Sequence, residues 1–406
     1  MRALAMLRRR HIAVLWTGEC LSAMGDYFYL VAVMWTAAKL AGSAAGLVAA
    51  AESGAALAFA TLGGVIADRF DRRVAMIVAD LGRAAAVGLL ALFALRGALG
   101  ILPLVSMAIV LGVFDAVFTP ALLASIPSLV DVARPGELQA TNGLVDSTRR
   151  IARAVGPSVA GAIAAVVSLA HFFTIDALSF VASALAITAI GSSRFTWKNA
   201  QHAPGRGARG VVADVVEALR LVAAHKPVAW ALAVLFLVNA SWAAGFQVGA
   251  VLFASRALST NISGYGFLIG SYGVGNVAGN LVVANIHIER KVTTIFLSKL
   301  VLGAGFFVLA TAPSLPVAML GAALAAIGGP MGELPLVALL QTEFPSHQAG
   351  RVFSLRFMID HAGVAAGLVL AAPLFAVAPV RVGIAACAGL LVLVGVAGLA
   401  RFGLRA

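Results

Sequence analysis

Gly63-Gly64-Val65-Ile66-Ala67-Asp68-Arg69-Phe70-Asp71-Arg72-Arg73 is a short charged stretch set between two apolar runs, 44–66 and 74–95. Glycine allows close helix approach and a tight turn. An acid and arginines at helix ends can cap them and form charge-assisted hydrogen bonds. Flanking runs of this length suit helices that cross a bilayer, which takes about 20 residues each. The rest of the chain has the same character. Of 406 residues, 61% are hydrophobic and 11% charged, and the mean hydropathy is +1.00. Soluble chains average about 45–50% apolar and about 25% charged residues. So little charge cannot cover a water-soluble surface of this size, which excludes a soluble enzyme. Disorder, a coiled coil and a disulfide scaffold fail on the same ground. Cys20 and Cys387 lie inside apolar runs and read as inert core thiols.

The pattern repeats along the chain. Spans are expected at 12–37, 44–66, 74–95, 102–126, 140–168 and 171–191, then at 228–254, 262–286, 293–312, 315–339, 349–375 and 380–402. Met1–Arg10 is basic, as a signal peptide would be, but the run after it is too long and holds Glu19 and Asp26. It reads as a retained first span. About twenty Lys and Arg residues fall at the N-terminus, in the even-numbered connections and at the C-terminus; the odd-numbered connections hold Lys39, Arg96, Arg256 and Arg381. The positive-inside rule then places both termini in the cytoplasm, and the net charge of +12 is chiefly an orientation device rather than a nucleic-acid signal. The long hydrophilic interval 192–227 contains Val212, Val215, Val216, Leu219 and Val222 at helical spacing, which suits an amphipathic helix on the cytoplasmic membrane face. The expected organisation is an N-terminal six-helix bundle (1–191), a cytoplasmic linker (192–227) and a C-terminal six-helix bundle (228–406). Such all-α integral membrane proteins, with twelve transmembrane helices in two halves of pseudo-two-fold symmetry, place their cargo site near the midplane.

The opening stretch resembles the G-x-x-A-D-R-x-G-R-R signature of the major facilitator superfamily, matched at Gly64, Asp68, Arg69, Arg72 and Arg73, with Asp71 in place of the usual glycine. The corresponding loop of the second half keeps only Glu289-Arg290-Lys291. In the fifth span Gly156, Pro157 and Gly161 resemble the Gly-Pro motif of exporter branches, which implies a bendable, closely packed helix. Trp16 to Tyr27, Phe118-Thr119-Pro120 and Ile175-Asp176-Ala177-Leu178-Ser179-Phe180 are similar to the enterobactin-exporter-like branch of bacterial efflux proteins. This resemblance implies a proton-linked exporter of drugs or siderophore-like metabolites.

A charge near the bilayer centre costs about 2.5–3.5 kcal/mol even on lenient scales, so each is a functional candidate. Asp26 lies near mid-depth of the first span and is the first choice for a protonatable or cation-recognising carboxylate; Glu19, Asp115 and Glu333 follow. Glu52 is expected nearer the periplasmic end, and Asp176 in a structural role. Asp80 and Arg83, spaced i,i+3, should pair with each other. Asp146 is expected to join the arginines of the signature loop in a cytoplasmic gate, with an anion-binding cavity lined by Arg153 as the alternative. Lys299, Asp360 and His361 receive no role from sequence. Cavity aromatics are expected at Tyr27, Phe28, Trp35, Phe236, Trp242 and Phe246.

No catalytic motif, metal-ligand spacing or phosphate-binding loop occurs, so transport must draw on an ion gradient or run downhill. The reading is a secondary transporter of a small organic molecule: no enzyme, no metal, no cofactor, the proton gradient as energy source. It would act as a monomer in the bacterial inner membrane. An importer or facilitator, and a non-transporting membrane scaffold of the same fold, are the alternatives.

Overall fold

The computed structural model describes residues 6–130, 137–191, 208–286, 288–344 and 346–402. Among them every regular element is a helix. The first six are α1 (Arg10–Ala41), α2 (Gly46–Arg69), α3 (Arg72–Leu95), α4 (Ile101–Leu129), α5 (Glu137–Ile163) and α6 (Leu169–Ile190). The short α7 (Ala208–Ala224) precedes α8 (Lys226–Trp242), which runs on through π-helical turns at Ala243–Val248 and Phe253–Ala257. Then come α9 (Ile262–Asn285), α10 (Lys291–Thr311), α11 (Leu315–Glu343), α12 (Ser346–Val377) and α13 (Val380–Phe402). Apart from α7, these are twelve long helices. Ten stretches are long and apolar enough to cross a membrane, and the first, Arg10–Phe59, takes in both α1 and most of α2. The remaining long helix, α5, is interrupted by Asp146, Arg149, Arg150 and Arg153.

The chain divides into two compact units, Met1–His202 and Ala203–Ala406. In the first, α1 packs on α5 and α6, α2 on α4, and α3 on α4 and α6. In the second, α8 packs on α12 and α13, α9 on α11, and α10 on α11 and α13. The pairing scheme is thus repeated, helix for helix, as expected of a duplicated transporter plan. Inside the first unit Leu15, Met76, Phe118, Leu122, Ile126 and Ile187 form a dry core. Leu81, Leu102, Leu185, Leu281, Leu320 and Leu393 are exposed on the outer faces. Helices apolar on every side are what a lipid surround requires.

Local signals fix the ends of the elements. Gly42, at φ +57°, terminates α1, a backbone state that costs glycine little. Lys39 sets its ammonium 5.2 Å from the Trp35 ring centroid, so α1 carries its last turn beyond the apolar run. Asp71, the residue standing where the signature has glycine, caps α3: its carboxylate accepts from the Arg73 N–H at 2.8 Å and the Val74 N–H at 3.4 Å. On α7, Ala218 and Val222 are buried, while Val216 and Leu219 are exposed.

Candidate functional site

Carboxyl groups from four helices converge in the first unit. Asp26 projects from α1 beside Gly25, whose missing side chain is what lets α6 come close. A Cβ there would stand 2.6 Å from Asp176 Oδ1. The charge of Asp26 acts on Asp176 and on Glu52 of α2, and that of Asp115 of α4 also acts on Glu52. Tyr29, one turn along α1, donates its hydroxyl to Glu52 Oε2 at 3.3 Å. Thr119 donates to Asp115 Oδ1 at 3.2 Å, and Ser179 to Asp176 Oδ1 at 3.3 Å.

Among the described residues one guanidinium meets part of this group. Arg83 of α3 is buried, hydrogen-bonded to Asp80 one turn back, and stands 3.9 Å from Asp115 Oδ1. Its charge also reaches Asp176. The guanidinium carbon lies 4.1 Å from the Phe118 centroid and 4.5 Å from that of Phe180, so aromatic faces replace water around it. Among the described residues Arg83 thus meets Asp80 and Asp115 directly, and its charge reaches Asp176.

Of the signature loop, the side-chain positions of Gly64, Asp68 and Arg69 lie outside the described residues, as do those of Asp146, Arg149, Arg150 and Arg153 on α5. Arg72 donates to the Ala124 carbonyl at 2.6 Å. Arg73 donates to the carbonyls of Thr188, at 2.8 Å, and Ile187, at 3.3 Å, in the last turn of α6. The Thr188 carbonyl also accepts from the Gly191 N–H at 3.3 Å, and the two arginines tie the start of α3 to α4 and α6.

The other expected positions fall variously. Glu19 is buried in α1. Tyr27 packs on Gly156 of α5: a Cβ on that glycine would lie 2.7 Å from Tyr27 Cβ. Pro157 and Gly161 are buried beside it. Phe28 is buried edge-on to Phe172 at 5.1 Å, and Trp35 is buried as well. In the second unit Phe246 is buried and stacked on Tyr272 at 4.2 Å, Trp242 tilts toward the same ring at 6.4 Å, and Phe236 is exposed. Glu333 belongs to that unit and accepts from Arg356 at 3.1 Å. The structure thus brings Asp26 and Asp115 within electrostatic reach of Glu52, and adds Arg83 and Asp176; sequence reasoning gave these three lesser roles. Their one signal was the charged i,i+3 pair and the acid within Ile175–Phe180. No group of three or more His, Cys, Asp or Glu that could hold a metal ion occurs among the described residues.

Residues 1–406 match the family described as transmembrane secretion effectors of the major facilitator type. The chain belongs to this major facilitator family. It is 30% identical over 369 residues to the multidrug efflux pump Tap of Mycobacterium tuberculosis, covering 87% of this chain and 84% of that protein. It is also 30% identical over 179 residues to macrolide efflux protein A of Streptococcus pyogenes, covering 43% of each. Among solved structures, a POT family transporter in complex with 5-aminolevulinic acid superposes with a TM-score of 0.74, at 10% identity over 96% of both chains. A bacterial homologue of the human lysosomal transporter Spinster, inward-facing and unoccupied, gives 0.70 at 12% identity over 97% of this chain and 96% of that one. These two likenesses establish the fold. The protein is a multi-pass major facilitator transporter.

Proposed function

We propose that this major facilitator protein exports a small, drug-like organic cation in exchange for protons, by alternating access. The observation that carries the reading is the gathering of Asp26, Glu52, Asp115 and Asp176 within the first unit, with Arg83 bonded to Asp80 and 3.9 Å from Asp115. Protons and a cationic cargo compete for the same carboxyls, and that competition couples one flux to the other. The efflux pumps among its relatives support the direction and the cargo class. Arg72 and Arg73, with Gly64, Asp68, Arg69 and Asp146, serve as the cytoplasmic gate. The interval 192–227 links the bundles on the cytoplasmic face, and the basic connections set both termini inside a bacterial inner membrane.

Everted vesicles carrying the protein test this directly. A fluorescent organic cation should accumulate when a proton gradient is imposed and leave when it is collapsed. Asp26→Asn should remove the pH-dependent part of the flux, and undiminished coupling in that variant would take Asp26 out of the mechanism. Normal turnover in Asp68→Asn would contradict the gate.

A further inference from the structure

A groove runs along the seam between α1 and α6, inside the first unit, with a volume of about 430 Å³. Its origin is local. Gly18 lets the two helices come so close that a Cβ on it would stand 2.9 Å from Ala186 Cβ. Ala13, Ala182 and Ala189 line the same seam and are too short to fill it, while Leu21 and Leu185 stand exposed at its sides. Thr17 turns its hydroxyl back to the Ala13 carbonyl at 2.8 Å, so its one donor is spent. The lining is therefore hydrocarbon except at one end, where Arg10 stands.

Arg10 is the first residue of α1 and is exposed. Its neighbour Arg9 is bound to Glu137 at 2.5 Å, and Arg73, which reaches the last turn of α6, donates to the Ile187 and Thr188 carbonyls. Arg10 makes no hydrogen bond or ion pair among the described residues. The N-terminal end of α1 adds partial positive charge beside it. From Arg10 to Leu21 the helix rises about 16 Å at about 1.5 Å per residue, close to half of a bilayer core about 30 Å thick. Spread over that length, the groove is too narrow for a second helix, which is about 10–12 Å across with its side chains, but it takes one hydrocarbon chain. An arginine at a membrane surface keeps its stem in hydrocarbon and its guanidinium among the headgroups. There a phosphate can accept two parallel N–H bonds from it.

We propose that the α1–α6 groove is a binding site for an anionic phospholipid, with one acyl chain lying along Gly18 and Ala186 and the phosphate paired with Arg10. Positive charge at the mouth and hydrocarbon behind it match an amphiphile with a negative head. A zwitterionic lipid brings a second, positive charge that Arg10 repels. The groove ends within the depth of one leaflet, so the lipid comes from the leaflet that meets the start of α1. The site depends on neither the cargo nor the direction of transport.

Native mass spectrometry of the purified full-length protein, titrated with phosphatidylglycerol or with phosphatidylcholine, tests the assignment. The parent should bind phosphatidylglycerol at least threefold tighter than phosphatidylcholine. Arg10→Gln should remove that preference, and Arg10→Lys should keep most of it. Ala189→Phe, which places a ring in the groove from an exposed position, should weaken phosphatidylglycerol binding by a similar factor. Arg96→Gln controls for net charge, since Arg96 is exposed at the far end of α3. Binding unchanged by Arg10→Gln or by a folded Ala189→Phe, or reduced equally by Arg10→Gln and Arg96→Gln, would overturn the proposal. So would a parent that holds both lipids alike. A dimer that Ala189→Phe breaks would overturn it in favour of a second copy in the seam. Arg10 lies on the surface, so its variants decide the matter even where Ala189→Phe does not fold.

Discussion

Arg83 of α3 sets its guanidinium carbon over the Phe118 ring of α4, 4.1 Å from its centroid, and 4.5 Å from that of Phe180 of α6. Removing the base leaves Asp80 buried with an uncompensated charge. Breaking such a pair costs about 3–5 kcal/mol. Arg83→Ala should therefore lower the melting temperature of the purified protein sharply. Arg83→Lys keeps the charge but loses the guanidinium's contact with the two rings, a loss of about 1–2 kcal/mol, and should fall between the two. A melting temperature for Arg83→Ala equal to the parent's would remove Arg83 from the centre of the cluster.

Tyr29 couples Glu52 to α1 through a single hydrogen bond at 3.3 Å. Tyr29→Phe should cost about 1 kcal/mol of stability. If Glu52 shares protons with Asp26, Tyr29→Phe and Glu52→Gln should both displace the pH profile of export measured in everted vesicles. An unmoved profile in both variants would show Glu52 to be a bystander.

What sequence could reveal here was whatever is local. The twelve helices followed from apolar run length, and the Asp80–Arg83 pair from i,i+3 spacing. Facing was another matter. A helix set in lipid is apolar on all sides, so periodicity does not say which face turns inward. That is why Glu52 was expected only nearer the periplasmic end, whereas α1 brings Tyr29 and the charge of Asp26 to it. Phe118 and Phe180 were quoted only as parts of motifs. Their shared role around Arg83 depends on three helices meeting, which no spacing along the chain encodes. Phe28 and Phe246, chosen for the cavity by residue type, are buried in ring contacts with Phe172 and with Tyr272.

Gly156 and Tyr27 offer a test of how tightly α5 must lie on α1. A methyl group at Gly156 would sit 2.7 Å from Tyr27 Cβ and 2.9 Å from its ring, closer than carbon atoms tolerate. Overpacking of this kind costs about 1–3 kcal/mol. Gly156→Ala should lower both thermal stability and export. Because the obstructing atoms, Cβ first and then the ring, belong to Tyr27, adding Tyr27→Gly, which removes both, should recover part of the loss in a double-mutant cycle. Strict additivity would mean that the two helices do not press on each other at this point.

Asp71 gives the sharpest contrast between sequence pattern and local physics. Its carboxylate holds the Arg73 and Val74 N–H groups at the first turn of α3, in a position where the signature has glycine. Replacing a capping aspartate by alanine costs about 0.5–2 kcal/mol, and by glycine only a few tenths. Asp71→Ala should thus lower the melting temperature measurably, while Asp71→Gly, which restores the usual signature residue, should stay near the parent. The same cap fixes where α3 begins, and with it the reach of Arg73 to the Thr188 carbonyl at 2.8 Å. Export by Asp71→Ala should accordingly fall further than its loss of folded protein accounts for. Equal losses in folded protein and in flux would confine Asp71 to stability.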